Sequence, residues 1–353
     1  MKTELSILKI FYFSGTGNAK NVAQWIGQAA EIKDVDIEIN DIAKLKNRQK
    51  PTVDQNIVIG FVSPTHGFNY PPIMMHFVMR MPKANGNKVF LINTRAGMKL
   101  GKYFLPGLSG IALLLSAIVL LLKGYKIIGM QSIDLPSNWI SIHPGIRESV
   151  VESIYIRRKK DTQKFAEKIL SGKRVYKPLF DIVQDLLISP IAILYYLFGR
   201  FGLAKTFIAS SDCTKCGLCI KQCPVKAIRW VDKRPFWSYK CESCMKCMNA
   251  CPARAIETAH GYFVGILVFA KSVVIYQLYS RLAISQYFHN ILPDGLVSLV
   301  LLVINFVMYF IILVVSYYVL HYLMRIKFIE RIIVYTSFTS YKFWRRYKIR
   351  KQA

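Results

Sequence analysis

With 353 residues the chain is long enough for two or three domains, and its 53% hydrophobic content and mean hydropathy of +0.29 are high for a soluble protein, so membrane contact is expected. The formal net charge of +28 would suit nucleic acid, yet the Lys and Arg residues follow no reading motif. They crowd at 157–177 and 325–351 beside apolar segments, where an anionic leaflet attracts them, so the expected partner is a lipid bilayer and not nucleic acid.

The first predicted element is an apolar strand, Ile7 to Phe13. It runs into Ser14, Gly15, Thr16, Gly17 and Asn18, and then into a helical stretch from Ala19 to Ala30. A buried strand ending in a short Gly, Ser and Thr loop at a helix start is a phosphate cradle: glycines admit close backbone approach, hydroxyls donate, and the helix terminus favours negative charge. Lys20 occupies the last position of a G-x-G-x-x-G reading and no G-x-x-x-x-G-K occurs. Dinucleotide and nucleoside triphosphate sites are therefore disfavoured, and a monophosphate fits better.

Further strands are predicted at 35–40, 56–62, 88–93 and 125–133 with helices between them, the alternation of a doubly wound parallel α/β sheet. Loops at the carboxyl ends of the first, third and fourth strands would meet over one crevice. The second of these loops is Ser63 with Pro64, Thr65, His66, Gly67 and Phe68, and the third is Asn93, Thr94, Arg95, Ala96 and Gly97. His66 is expected to hydrogen-bond its loop and not to transfer protons. The uncharged stretch Gly107 to Leu122 reads as the fourth helix, apolar all round, facing sheet on one side and membrane or a partner on the other.

Residues 5–172 resemble a flavodoxin through the three loops just named. The resemblance implies the strand order 2-1-3-4-5 and FMN, with its phosphate on Ser14, Thr16, Gly17 and Asn18 and its ring held by the two later loops. Flavodoxins often stack a Trp and a Tyr on the ring; the candidates here are Phe68, Tyr70, Arg95 and Met98. Arg95 is read two ways, as a solvated surface residue or as a charge beside the ring that would raise the flavin potential. Leu135 to Trp139 is expected to close the edge of the sheet and not to touch the flavin.

Ile146 to Leu170 reads as the closing helix of this unit (1–172), with Gly172 as its stop. A linker at 173–204 follows. Its uncharged stretch Leu186 to Phe198 is interrupted by Pro190 and too short to span about 30 Å of hydrocarbon, so it reads as an in-plane anchor or docking helix.

All eight cysteines fall into two copies of C-x2-C-x2-C-x3-C-P: Cys213, Cys216, Cys219 and Cys223, then Cys241, Cys244, Cys247 and Cys251. Soft thiolates at this spacing can wrap an iron-sulfur cube, and the fourth cysteine of each run ligates the other cluster. Cys213, Cys216, Cys219 and Cys251 are thus expected to hold one 4Fe-4S cluster, and Cys241, Cys244, Cys247 and Cys223 the other. Structural zinc has no use for the third thiolate of each run, and a disulfide framework belongs to secreted domains. Residues 205–258 resemble the bacterial two-cluster ferredoxins, and the 17-residue spacer from Pro224 to Lys240 adds Trp230, Phe236, Trp237 and Tyr239 as apolar cover.

Together the first 260 or so residues resemble flavodoxin-ferredoxin fusion proteins. That resemblance implies an electron-transfer flavoprotein that passes electrons between FMN and two 4Fe-4S clusters, to or from a redox protein partner or a quinone. The alternatives are an FMN-dependent reductase of an organic substrate fed by the clusters, and a redox-sensing or scaffold subunit.

The C-terminal part is expected to be a transmembrane hairpin over 259–324, with spans at about 261–280 and 296–320, followed by a basic cytoplasmic tail at 325–353. Leu296 to Leu320 holds 25 residues without a formal charge, and Tyr317, Tyr318 and Tyr322 near its end suit an interface. Lys271 in the first span would cost about 2.5–3.5 kcal/mol at mid-membrane, so either it faces a partner or a polar cavity or the segment lies in the interface, and crossing is favoured by the charge of the tail. The tail carries Arg325, Lys327, Arg331, Lys342, Arg345, Arg346, Lys348, Arg350 and Lys351 against Glu330, so it should stay inside. The redox domains belong in the cytoplasm as well, where thiols stay reduced, and two inner flanks require an even number of crossings. His260 and His321 fall near the inner face and read as interfacial histidines in preference to haem ligands.

Overall fold

Strand pairing places β1 (Ile7–Tyr12) at the centre of a parallel sheet, between β2 (Asp36–Asp41) and β3 (Ile57–Pro64). The computed structural model, which describes residues 7–45 and 56–347, continues the sheet through β4 (Lys88–Leu100). β5 (Tyr103–Leu105) folds back antiparallel on the far end of β4, and β6 (Lys126–Pro136) and a short β7 (Val175–Tyr176) complete the parallel order β2-β1-β3-β4-β6-β7. The first five parallel strands therefore have the order 2-1-3-4-5 of a doubly wound flavodoxin-like sheet.

Both faces of the central strands are buried, and their residues alternate between two cores as the period of a strand requires. Val58, Val62, Phe90 and Ile92 face α1 (Asn18–Glu31) and α4 (Glu148–Leu170). Ile57, Ile59, Phe61, Val89 and Leu91 face α2 (Pro72–Arg80) and α3 (Ala112–Leu122). Gly60 is required here, since a Cβ would collide with the Phe90 ring that fills the space above it. The outer side of α3 stays open, with Ile118, Leu121 and Leu122 exposed.

Two elements differ from expectation. β4 runs on to Leu100, so 93–97 is strand and not loop. β6 extends equally, which gives each of these residues a ladder partner from Asn93↔Ser132 to Gly97↔Pro136. α3 correspondingly begins at Ala112, and 107–111 forms a loop over the sheet's carboxyl edge.

The segment at 173–204 is more than a linker. It forms two helical pieces, Lys177–Leu187 and Ser189–Ala204, bent by 77° at the Ser189-Pro190 step where proline cannot continue the preceding turn. One side is exposed and apolar (Phe180, Leu187, Ile191) and the other is tied to the first domain. Gly110 N donates to Asp185 at 2.8 Å, Asn69 Nδ2 donates to Ala192 O at 2.6 Å, and the Tyr195 ring occupies the space a side chain on Gly67 would need.

In the cysteine domain β8 (Phe207–Ala209) pairs antiparallel with β11 (Ile256–Thr258), and β9 (Ile228–Val231) with β10 (Arg234–Trp237). Left-handed backbone recurs with the cysteine spacing. An offset of 28 residues separates Lys215 from Ser243, Gly217 from Met245 and Lys226 from Arg254, so the two runs wind alike.

Two helices, His260–Ser280 and Asp294–Leu323, are long and apolar enough to cross a membrane, and the bent pair makes a third element if counted as one span. The two helices meet where Tyr262 Oη lies 2.6 Å from Ser316 Oγ; Lys271 is exposed on the first. The C-terminal end of Asp294–Leu323 is seated on the cysteine domain: Tyr317 Oη donates to Phe207 O at 3.1 Å, and Tyr317, Tyr318 and His321 pack on the Phe236 ring. Lys205, fully buried, donates to Trp237 O at 2.7 Å in the midst of these rings. His260 accepts from Phe338 N and lies 2.8 Å from Ser141 O, while His321 lies 3.0 Å from Val231 O. Backbone groups of separate segments hold the two histidines, which do not pair with each other.

The basic tail is docked on the rest of the protein. After helix Lys327–Tyr335 the chain returns across the cysteine domain to the first domain. Glu330 accepts from Ser211 N and pairs with Arg234 at 3.1 Å, while Arg346 pairs with Glu257 at 2.8 Å, both side chains only 5% exposed. Trp344 Nε1 donates to Ile140 O at 2.6 Å, and Arg345 and Gly145 exchange two hydrogen bonds through Gly145 N (2.7 Å) and Arg345 Nε (2.9 Å). Glu257, buried in the cysteine domain, needs a cation and takes Arg346 of the tail, while the tail's own buried Glu330 takes Arg234 of that domain. Lys348, Arg350 and Lys351 lie outside the described residues.

Removing one partner of the buried pair leaves an uncompensated charge. Arg346→Met is expected to destabilise the fold by about 3–5 kcal/mol, read as a lower unfolding temperature of the solubilised protein, and Arg346→Met with Glu257→Met should recover most of the loss.

Candidate functional site at the edge of the sheet

At the carboxyl edge of the sheet lies a cavity of about 340 Å³, within the range of small-ligand sites. Ser14, Gly15, Thr16 and Asn18 form one wall; Pro64, Thr65, His66, Gly67 and Phe68 a second; Thr94, Arg95 and Ala96 a third. The three expected loop regions are thus brought together. Gly17, Asn93 and Gly97 stand behind the lining.

The first wall is made by the β1–α1 connection. Gly17, at φ 112°, caps α1 in a conformation side chains avoid and donates its amide to Ser14 Oγ at 3.0 Å. The first-turn amides of α1 have no partners within the helix. Asn18 is a clip and not a free ligand: its Nδ2 donates to Pro136 O at 2.9 Å and its Oδ1 accepts from Tyr155 Oη.

The second wall is a tight turn in which His66 and Asn69 bond each other's backbone, and Gly67 and Phe68 both have left-handed backbone. Asn93 Nδ2 holds Thr65 Oγ1 at 2.8 Å from beneath. His66 is buried and its Nδ1 has no partner. Burial pushes its pKa down to about 4, so the ring is neutral at physiological pH, and the backbone its side chain bonds is that of Glu242 in the cysteine domain and not that of its own loop.

The solvated-surface reading of Arg95 is overturned, while the residue does line the cavity. The side chain is 8% exposed, bonded to Asp134 at 2.7 Å and to Asp181 and Ser109 at 3.1 Å, because the extended β4 sets it directly opposite Asp134 in the ladder. Two carboxylates compensate its charge, which removes the argument for a cation-raised potential. Of the other stacking candidates, Tyr70 is core, its hydroxyl bonded to Ile92 O at 2.9 Å, and Met98 lies on the exposed β4–β5 hairpin; Phe68 alone lines the cavity with Arg95.

The segment following β6, expected merely to close the sheet, supplies a fourth wall of Pro136, Ser137, Asn138 and Trp139, with His143. Asn138 Nδ2 donates to Thr16 Oγ1 and Ser137 Oγ lies 2.8 Å from His143 Nε2. Trp139 packs on Tyr195 at 5.3 Å between centroids and donates Nε1 to Ser243 O at 3.2 Å. Trp139 was visible in the sequence, but its place in the cavity wall depends on the cysteine domain through Ser243.

That domain closes the site. Cys244 itself lines the cavity, and a Cβ on Gly15 would come within 2.7 Å of Cys244 Cβ and 2.8 Å of its carbonyl. Ile73 N donates to Glu242 Oε1 at 2.9 Å, and burial pushes that carboxyl up to about 8.

The thiols fall into two neighbourhoods. Burial raises Cys219 to about 11, and its thiol neighbours are Cys213, Cys251 and Cys216. Burial raises Cys247 well above its ordinary value, and its thiol neighbours are Cys241, Cys244 and Cys223. Ala227 N donates to Cys223 Sγ at 3.2 Å and Ser243 N to Cys241 Sγ at 3.4 Å. Among the described residues no three His, Cys, Asp or Glu side chains converge tightly enough for a single metal ion.

A family model described as a 4Fe-4S dicluster domain matches residues 212–256. Flavodoxin 1 from Bacillus cereus is similar at 17% identity, covering 45% of this chain and 98% of its own, with a TM-score of 0.30. A flavodoxin from the domain Archaea gives 17%, 46%, 98% and 0.30, and the general stress protein 14 of Treponema denticola, in complex with FMN, 13%, 46%, 98% and 0.30. Likenesses of that strength carry no argument of their own, and the fold rests on the strand order above. No curated protein matches the chain. The class defined is a flavodoxin-type parallel α/β sheet joined to a ferredoxin-like 4Fe-4S domain, with C-terminal apolar helices that could span a membrane.

A neutral buried His66 must take up a proton on unfolding below pH 6.5, so its contribution to stability is whole above that pH and falls as pH drops from about 6.5 towards 4. The loss should reach up to about 3 kcal/mol at the acid end. The drop in unfolding temperature between pH 7.5 and pH 5 is expected to be smaller in His66→Gln.

Proposed function

We propose that the chain is a membrane-anchored electron-transfer flavoprotein, holding FMN in the cavity and two 4Fe-4S clusters on the cysteine runs, and exchanging electrons with a redox protein partner or a quinone. The observation that carries this is Cys244: one cysteine belongs both to a cluster-type run and to the wall of the nucleotide-type cavity. When bound, FMN supplies a centre that takes one or two electrons, and the clusters supply one-electron centres.

The residues fit those groups. The first-turn amides of α1 and the Ser14 hydroxyl suit a phosphate, and the unpartnered His66 Nδ1 awaits a polar ligand atom. Trp139 and Phe68 offer apolar surface to a ring while excluding water. Two sets of four thiols suit two cubanes, with Cys213, Cys216, Cys219 and Cys251 in one and Cys241, Cys244, Cys247 and Cys223 in the other. A tetrahedral zinc would bring thiolates to within about 3.8 Å of one another, given zinc–sulfur bonds of about 2.3 Å, and a four-iron cluster holds them wider. The amides of Ala227 and Ser243 would tune the potentials through their bonds to sulfur.

Two crossings leave the redox domains and the docked C-terminal segment on one side, which the charge pattern assigns to the cytoplasm.

Protein purified anaerobically from membranes should contain one FMN and about eight iron and eight labile sulfide per chain. Cys244→Ser should lower the iron content and slow flavin reduction relative to cluster reduction in a rapid-mixing experiment. Preparations with no labile sulfide would remove the reading.

A further inference from the structure

We propose that the face around Cys216 is the docking site for an acidic electron-carrier protein; the inference rests on the electron-transfer reading above. The 28-residue repeat equates Cys216 with Cys244. In the second repeat that position is covered by the protein's own first domain through Gly15. In the first repeat it is open, and Cys216 is the one cysteine of the eight that is exposed. The same winding therefore presents two equivalent faces: the flavodoxin-like domain covers one, and the other is free.

The free face leaves its cations uncommitted, whereas in the covered repeat Arg254, the equivalent of Lys226, donates to Trp344 O at 3.2 Å. Lys215, Lys221 and Lys226 are exposed and form no ion pair among the described residues. The positions equivalent to the first two are neutral Ser243 and Asn249, both engaged within the chain: Ser243 Oγ donates to Arg200 O at 2.9 Å, and Asn249 Oδ1 accepts from Tyr347 N at 3.2 Å. Asp212 is the nearby acid, turned to Ser210. Lysines ringing an exposed cluster ligand set up a field that steers an acidic surface onto it.

Charge decides the occupant. A second copy of this chain, at net +28, would be repelled. The bilayer is reached through other surfaces, since the helix Asp294–Leu323 seats on Phe207, Phe236 and Trp237, whereas the short helix Leu218–Lys221 packs within the cysteine domain on Lys246–Ala250 and β9.

The test uses the full chain in nanodiscs of zwitterionic lipid, with an acidic 2Fe-2S ferredoxin as probe. Binding is measured by thermophoresis at low and high salt for wild type, for Lys215→Glu/Lys221→Glu/Lys226→Glu and its Gln counterpart, and for a control reversal of Lys160, Lys164 and Lys168 on α4. The proposal expects wild-type affinity to fall with salt, the Glu variant to bind at least about tenfold more weakly at low salt, the Gln variant to fall between, and the control to match wild type. Equal binding by wild type and the Glu variant, an equal effect of the control, or no wild-type binding would overturn it. So would loss of binding only to vesicles of anionic phospholipid, which would assign the face to the membrane. Iron, sulfide and FMN are assayed in each preparation: their absence from wild type refutes the electron-transfer reading, while their presence with charge-insensitive binding refutes the docking site alone.

Discussion

The absence of a side chain at Gly15 lets the loop carrying Cys244 sit directly on the β1–α1 connection. Every other interdomain contact at the site is arranged around that approach. Trp139 reaches Ser243, Ile73 N is capped by Glu242, and the turn of the bent helix places Tyr195 behind Trp139. A methyl at position 15 would separate two elements that each fold for independent reasons, the strand-to-helix turn for its glycines and the cysteine loop for its left-handed residues. The cavity is thus a product of two domains, although its first three walls belong to one.

The parts legible from sequence were those governed by local rules. The continuous apolar runs of β1, β3 and β4, the glycine turn before α1 and the duplicated cysteine spacing all follow from short stretches, and they set out the strands, three walls of the cavity and the eight thiols, while the sheet order is what the resemblance to flavodoxins implies. What escaped was decided by distant partners. The continuation of β4 through 93–97 depends on β6 lengthening in step, and that register turned Arg95 from a surface or flavin-facing charge into a member of a buried network with Asp134 and Asp181. Trp139 could be counted in the sequence, yet its direction is set by a carbonyl 104 residues away.

The same reasoning applies to two segments read from composition. The stretch 173–204 has the polarity of an anchor or a docking helix, and the tail after 324 is strongly basic. Neither property reports the hydrogen bonds each makes. Asp185 and Ala192 tie the first to the loop over the cavity, and Arg346 and Trp344 tie the second to Glu257 and Ile140. Basic residues that read as topology signals thereby also neutralise acids that the small cysteine domain buries.

The return of the chain onto Glu257, Ile140 and Gly145 after its two apolar helices makes the hydrophobic hairpin a closed ring, fastened to the rest of the protein at its departure and again at its arrival. A hairpin held at one end could swivel about that end. One moored at both keeps a single orientation relative to the sheet and the cysteine domain.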